Sequence, residues 1–189
     1  MSSNEPIRCP WCSNDEVYKA YHDNEWGVPS YDDQHLFEML ILETFQAGLS
    51  WLTILKKREN FRKAFDNFNI NKISKYGEEE IGRLMEDAGI IRYRLKITGA
   101  ISNANVYLEV QKEFGSFSNY MWGFVNHQTI VNTIKSSKDY PVTSKESDAF
   151  SKDLKKRGFK FVGSTTIYAH MQSIGMVNDH SEDCWKKHQ

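Results

Sequence analysis

The chain has 189 residues, 40% of them hydrophobic and 13% aromatic, enough apolar material for one large domain or two small lobes sharing a core. A formal net charge of −1 gives no global field for gathering nucleic acid or membrane, and the longest aliphatic run, residues 39–42, is far too short to span a bilayer. Three cysteines and a start without an apolar signal core predict a soluble, cytoplasmic protein of a reducing compartment, with no disulfide framework.

The hydrophobic periodicity is helical almost throughout. Residues 32–47 carry Leu36, Phe37, Met39, Leu40, Ile41, Leu42 and Phe45, too apolar for a surface helix, so a buried central one is expected. Asp32 and Asp33 favour its N-terminus through the helix dipole, and Gly48 is placed to stop it. Ser50 is placed to cap a second helix through Trp51, Ile54, Leu55, Phe61, Ala64 and Phe65. Further helices are expected over 78–87, 93–113, 116–126, 144–157 and 164–174. None of the four prolines falls inside these segments and no sustained alternation marks a strand, so the fold class is all-α.

Residues of metal-ligand type stand at both ends of the chain: Cys9 and His22 near the start, His180 and Cys184 near the finish. The last two are spaced i, i+4, which puts them on one face if the backbone there is helical. Together the four form the donor set of a Cys/His zinc site that would tie the termini together; the plain alternative is two free cysteines and two surface histidines. Cys12 adds a C-x-x-C with Cys9. A redox pair of that kind expects a βαβ context, which a helical chain lacks. The segment between Cys9 and His22 and just beyond it is aromatic and polar, with Trp11, Tyr18, Tyr21, Asp23, Asn24, Glu25 and Trp26.

Glu43 interrupts the apolar stripe of the most buried helix. A buried carboxylate is costly unless something pairs with it, so Glu43 is read either as a structural hydrogen-bonding residue or as the partner of a cationic ligand. Two basic clusters occur, Lys56, Lys57, Arg58, Arg62 and Lys63, and Lys152, Lys155, Lys156, Arg157 and Lys160. The first is read as a solvated helix face, and so would the second be on its own. The second, however, leads into Gly158, Phe159, Lys160, Phe161, Val162, Gly163, Ser164 and Thr165. This is helix, short apolar turn between glycines, then helix opening with hydroxyl residues: the layout of a helix-hairpin-helix DNA-backbone binder, or of an ordinary αα-corner. Residues 87–92 form a second, weaker turn of the kind.

These stretches together resemble one family. Arg8-Cys9-Pro10-Trp11, Ala20-Tyr21-His22-Asp23-Asn24-Glu25-Trp26-Gly27 and Gln46-Ala47-Gly48-Leu49-Ser50-Trp51 are similar to 3-methyladenine DNA glycosylase I. So are Phe124-Val125-Asn126-His127, Leu154-Lys155-Lys156-Arg157-Gly158-Phe159-Lys160-Phe161-Val162-Gly163 and Val177-Asn178-Asp179-His180, and the likeness runs over about residues 8–184.

The resemblance implies a helix-hairpin-helix glycosylase fold: one unit over 1–189 of two interleaved helical lobes, with 1–7 and 185–189 as flexible tails. It implies a monomer that flips 3-methyladenine out of double-stranded alkylated DNA and hydrolyses its N-glycosidic bond, without lyase chemistry. It implies one structural Zn²⁺ on Cys9, His22, His180 and Cys184, with the first position open between Cys9 and Cys12. It implies a base pocket of Trp11, Tyr18, Tyr21, Trp26, Glu43 and Trp51, with Glu43 and Tyr21 bearing on catalysis and Tyr21 and Trp51 as a stacking pair. The turn at Gly48 and Leu49 is the expected plug for the vacated stack, and Gly158, Phe159, Lys160, Gly163, Ser164 and Thr165 are the expected phosphate grip. A zinc-stabilised DNA-binding module without catalysis is the alternative.

Overall fold

A computed structural model describes residues 5–189. Nine α-helices follow one another among them: α1 (Glu16–Asn24), α2 (Asp33–Gln46), α3 (Trp51–Ala64), α4 (Ile70–Ile73), α5 (Glu78–Glu86), α6 (Arg94–Phe114), α7 (Phe117–Trp122), α8 (Lys145–Arg157) and α9 (Ser164–Ser173). Local chemistry sets their starts. Asp32 accepts the His35 N–H at 2.7 Å to cap α2, Ser50 accepts from Thr53 N to cap α3, and Ser144 with Ser147 forms a reciprocal cap on α8.

Helix α2 is the axis of the molecule. Every residue from 36 to 45 is buried, and α3, α6, α7 and α9 pack around it. Asp33, in its first turn, accepts the N–H groups of Phe117 and Ser118 at 2.8 and 2.9 Å, while Tyr107 donates to the Asp33 carbonyl at 2.8 Å. One acid thus caps α7 and anchors it, with α6, to the start of α2.

The structure departs from the sequence reading in five places, one of them the unforeseen short helix α4, which Asn69 caps by accepting from Lys72 N. Helix α1 was not foreseen; Asp15 starts it by accepting from Val17 N. The helix expected over 116–126 stops as α-helix at Trp122 and tightens to a 3₁₀ turn ending at Val125, because Asn126 and His127 take left-handed backbone angles. The fold is mostly helical but not wholly so: β1 (Ile130–Val131) and β2 (Val177–Asn178) pair in parallel, with Ile130 opposite Val177, and an Ile134–Ser181 bridge extends the pairing. Two-residue strands are too short for alternation to show. The tail expected to be free after residue 184 is docked at its start: Trp185 N donates to Ile7 O at 2.9 Å, and Lys187 is 6% exposed and reaches the Asn132 carbonyl. The expected tail at 1–7 falls partly on residues 1–4, which lie outside the described residues.

Candidate active site and metal cluster

The β1–β2 pairing carries the C-terminal segment back to α1. There Cys9, His22, His180 and Cys184, all buried, bring their donor atoms within 4.8 Å of one another. His180 and Cys184 meet through turns, not through the helix their spacing allowed. Cys9 Sγ lies 3.4 Å from His180 Nδ1; Cys184 Sγ lies 3.4 Å from His22 Nε2 and 3.6 Å from His180 Nδ1. Bonds of about 2.0–2.3 Å to a tetrahedral zinc put neighbouring donors roughly 3.3–3.8 Å apart, the range in which these three spacings fall. The outer nitrogens are committed elsewhere: His22 Nδ1 to Asp23 Oδ1 at 2.8 Å, itself held by Arg8, and His180 Nε2 to the Trp26 carbonyl at 3.1 Å. Both rings are therefore in the tautomer that turns a lone pair inward. The hydrogen bond between the thiols pulls Cys9 far below the ordinary thiol range and pushes Cys184 up. Cys12 stands outside the cluster, half-buried, with its thiol toward the Ser13 carbonyl.

Next to the cluster opens a cavity of about 280 Å³. Its walls include all six residues singled out in the sequence as a base pocket: Trp11, Tyr18, Tyr21, Trp26, Glu43 and Trp51. Trp11 is the corner piece, its ring centroid 5.1 Å from Tyr18, 4.7 Å from Trp26 and 5.3 Å from the His22 imidazole. Tyr21 and Trp51 are 5.7 Å apart and tilted by 57°, so they form an angled corner and not the parallel slot expected of a stacking pair. Gln46, Tyr140, Pro141, Ala169 and Gln172 complete the lining and were missed. Tyr140 and Pro141 sit in a loop with no periodicity to mark them. Gln172 lies between the buried Met171 and Ser173 on a helix of mixed character, so no interrupted apolar stripe marks it as one marks Glu43.

Glu43 is 6% exposed, no described residue hydrogen-bonds its carboxylate, and burial pushes it up to about 8. Burial first, and the Glu43 charge second, hold the Tyr21 phenol well above its ordinary value. The indole N–H groups of Trp11 and Trp51 and the Tyr140 hydroxyl are buried without a partner among the described residues. A native cavity leaves polar groups open in this way when a ligand is to satisfy them.

The turn between α2 and α3 puts Gly48 in a left-handed conformation and exposes Leu49, which lies in the chain between the cavity-lining Gln46 and Trp51. The α8–α9 turn is selective in what it leaves open. Phe159 was expected among DNA contacts, but its ring is 3% exposed in the core and its N–H is bonded to Leu154 O, because Gly158 closes α8 with φ of 104° and turns the ring inward. Asn103 binds Lys160 on both sides, accepting its N–H and donating to its carbonyl. From Phe161 through Thr166, including Gly163, Ser164 and Thr165, no backbone N–H is engaged among the described residues. Ser164 Oγ donates to Asp148 at 2.6 Å. Among the described residues Lys152, Lys155, Lys156 and Lys160 have no carboxylate partner, whereas Arg58 binds Glu25 and Glu38, Arg62 binds Glu38 and Glu59, and Lys56 binds Asp15.

Helices around a buried axis enclose an aromatic cavity whose buried carboxylate has no partner among the described residues, the form of a base-capturing helical glycosylase. The chain belongs to the methyladenine glycosylase family, whose sequence model matches residues 11–187. It is 52% identical to DNA-3-methyladenine glycosylase 1 of Escherichia coli K12 over 177 residues, covering 94% of this chain and 95% of the relative. It is 49% identical to the DNA-3-methyladenine glycosylase of Haemophilus influenzae, again over 94% of this chain and 96% of the relative. Among solved structures, a 3-methyladenine DNA glycosylase I crystal structure superimposes with a TM-score of 0.93 at 49% identity, covering 95% of this chain and 99% of that one. The Staphylococcus aureus enzyme, solved for its recognition of 3-methyladenine, has a TM-score of 0.93 at 37% identity, over 96% of this chain and 97% of its own. No helix among the described residues is long and apolar enough to cross a membrane.

Proposed function

We propose that this protein is a DNA-3-methyladenine glycosylase of base excision repair. The observation that carries the reading is Glu43: a buried carboxyl group with no partner among the described residues, facing an aromatic cavity of base size. Methylation at N3 makes adenine cationic in DNA, so its glycosidic bond is weak and the base needs no protonation to leave. Water adds to C1′, the C1′–N9 bond breaks with its electron pair going to the base, and the water's proton goes to solvent. Neutral 3-methyladenine and an abasic site result.

The residues' work is capture and field. Trp11, Tyr18, Tyr21, Trp26 and Trp51 offer faces and edges to a flat cation, at about 0.5–2 kcal/mol for each favourable contact. Glu43 meets its positive charge and stabilises the cationic sugar as the bond lengthens. Neutral adenine brings no positive charge to stabilise the ionised form of Glu43, which supports selection of the damaged base.

Double-stranded DNA is the proposed partner, bound by a monomer, since one chain supplies every wall of the cavity; the cytosol is its compartment. The α8–α9 turn is assigned as a helix-hairpin-helix grip on the phosphates, supported by its open N–H groups and the unpaired lysines beside it. The Gly48–Leu49 turn fills the gap left by the flipped base, whose extrusion costs a few kcal/mol. One structural zinc on Cys9, His22, His180 and Cys184 is proposed; four protein ligands leave no open position, so the ion supplies cross-linking and no chemistry. The test is chromatography of bases released from methylated duplex DNA. Free 3-methyladenine must appear with the protein and not without it; a duplex bound but left intact would make this the non-catalytic module.

A further inference from the structure

Gln172 is a polar residue of the cavity whose direction its buried neighbours determine. It lies one helical turn from Ala169 on α9, and both line the cavity. Its side-chain amide is 2.7 Å from Asp179 Oδ2. Asp179 is fully buried and also receives the Tyr168 hydroxyl at 2.8 Å and the Asn132 amide at 2.7 Å. A carboxylate with three such neighbours only accepts, so Gln172 must turn its NH₂ to Asp179 and its carbonyl oxygen away. No described group donates to that oxygen. Among the open acceptors of the cavity are therefore Gln172 Oε1 on α9 and Glu43 on α2, which accepts once a cationic base has displaced its proton, on helices that pack together.

We propose that Gln172 is a specificity-determining residue, oriented by Asp179, which accepts a hydrogen bond from the 6-amino group of the extruded N3-methylated base. Two acceptors suit an amino group, which has two hydrogens to give. They oppose a 6-oxo group, whose lone pairs would face Gln172 Oε1 without a proton between them. The pair thus favours 3-methyladenine over 3-methylguanine, a distinction that charge and stacking cannot make because both lesions are flat cations in DNA. Asp179 is a positioning residue here: it touches no substrate and acts by fixing which end of the Gln172 amide is presented. The inference rests on the proposed function.

The experiment compares the full-length zinc-loaded protein with Gln172→Met, which keeps length and volume, and with Asp179→Asn, which keeps Gln172 but removes its obligatory acceptor. Free 3-methyladenine and 3-methylguanine are titrated by quenching of the cavity indoles, and both bases are followed in single-turnover release from methylated DNA. Gln172→Met is expected to lose about ten- to a hundredfold in 3-methyladenine affinity, with a smaller change for 3-methylguanine, so that the selectivity ratio falls. Asp179→Asn should lower the same ratio, which a merely structural role would leave alone. A folded Gln172→Met protein with unchanged affinity and ratio overturns the proposal while the activity stands. A wild-type protein that releases no 3-methyladenine overturns the activity and this inference with it.

Discussion

Glu43 sits where its ionisation works against folding. Its ordinary value is 4.5 and burial raises it to about 8 in the folded chain. Below pH 4.5 both states hold the proton and the residue is neutral in stability. Between 4.5 and 8 the unfolded chain has lost a proton that the folded chain keeps, so stability falls as pH rises and the cost is complete above about 8. Glu43→Gln removes that cost while keeping the shape. Thermal melts should show the variant gaining little at pH 5 and progressively more at pH 7 and 9, while its capture of cationic base weakens. A variant less stable than wild type at pH 9 would mean that something in the fold already pairs the carboxylate. Because a cationic lesion favours the ionised form, capture by the wild type should tighten with pH up to about 8 and then level off. Glu43 was legible in the sequence because a lone charge in an apolar stripe has few explanations. Gln172 and Tyr140 were not, since an amide in a mixed helix and a phenol in a loop have many, and only the third dimension aims them at the cavity.

Capping made most helices readable, because Asp32, Ser50 and Ser144 act on N–H groups two or three residues away and need no tertiary partner. What failed at this scale depended on distant chain. The strands β1 and β2 exist only because each finds the other, and Phe159 is buried because α6 and α7 lie beneath it, with the Phe117 ring 6.0 Å away. The α8–α9 turn divides its two glycines accordingly. Gly158 has φ of 104°, so Gly158→Ala should cost about 1–2 kcal/mol of stability through backbone strain. Gly163 has φ of −61° and an added Cβ would meet nothing within 4 Å, so Gly163→Ala should fold with an unchanged melting temperature. If this turn grips phosphate, that methyl group stands among the open N–H groups. Gly163→Ala should then bind damaged and undamaged duplex more weakly, while its affinity for free 3-methyladenine is kept. Unaltered duplex affinity would shift the grip to the turn at residues 87–92, where Lys57 is bonded to the Ala88 and Gly89 carbonyls.

At the scale of the molecule, the cavity is assembled from both ends of the chain. Trp11, Tyr18, Tyr21 and Trp26 come from the N-terminal segment, whereas Ala169 and Gln172 come from α9, just before the C-terminal turns. Two fastenings hold these parts together. One is direct packing: Gly27 N donates to Gln172 O at 2.9 Å, Ser30 N donates to Ile174 O at 3.0 Å, and a Cβ on Gly175 would lie 2.3 Å from Val28 C and Pro29 N. The other is the Cys/His cluster, whose imidazoles lie directly behind the cavity wall, with Trp26 4.7 Å from His180. Zinc there would close a loop of nearly the whole chain, which by analogy with a cross-link of that length contributes on the order of 5 kcal/mol. The two fastenings predict separable failures. Gly175→Ala should lower the melting temperature with its zinc content intact, because the clash falls on the Val28 and Pro29 backbone and on none of the four donor residues. Chelation, or Cys184→Ser, should remove the metal, lower the melting temperature and weaken binding of free 3-methyladenine, as Trp11 and Trp26 lose the imidazoles they lean on. The helices around α2 draw no donor from the cluster, so far-ultraviolet circular dichroism should stay largely helical at low temperature after chelation. Base affinity unchanged by complete loss of zinc would show that packing alone holds the cavity wall, and the cluster would then serve stability without shaping the site.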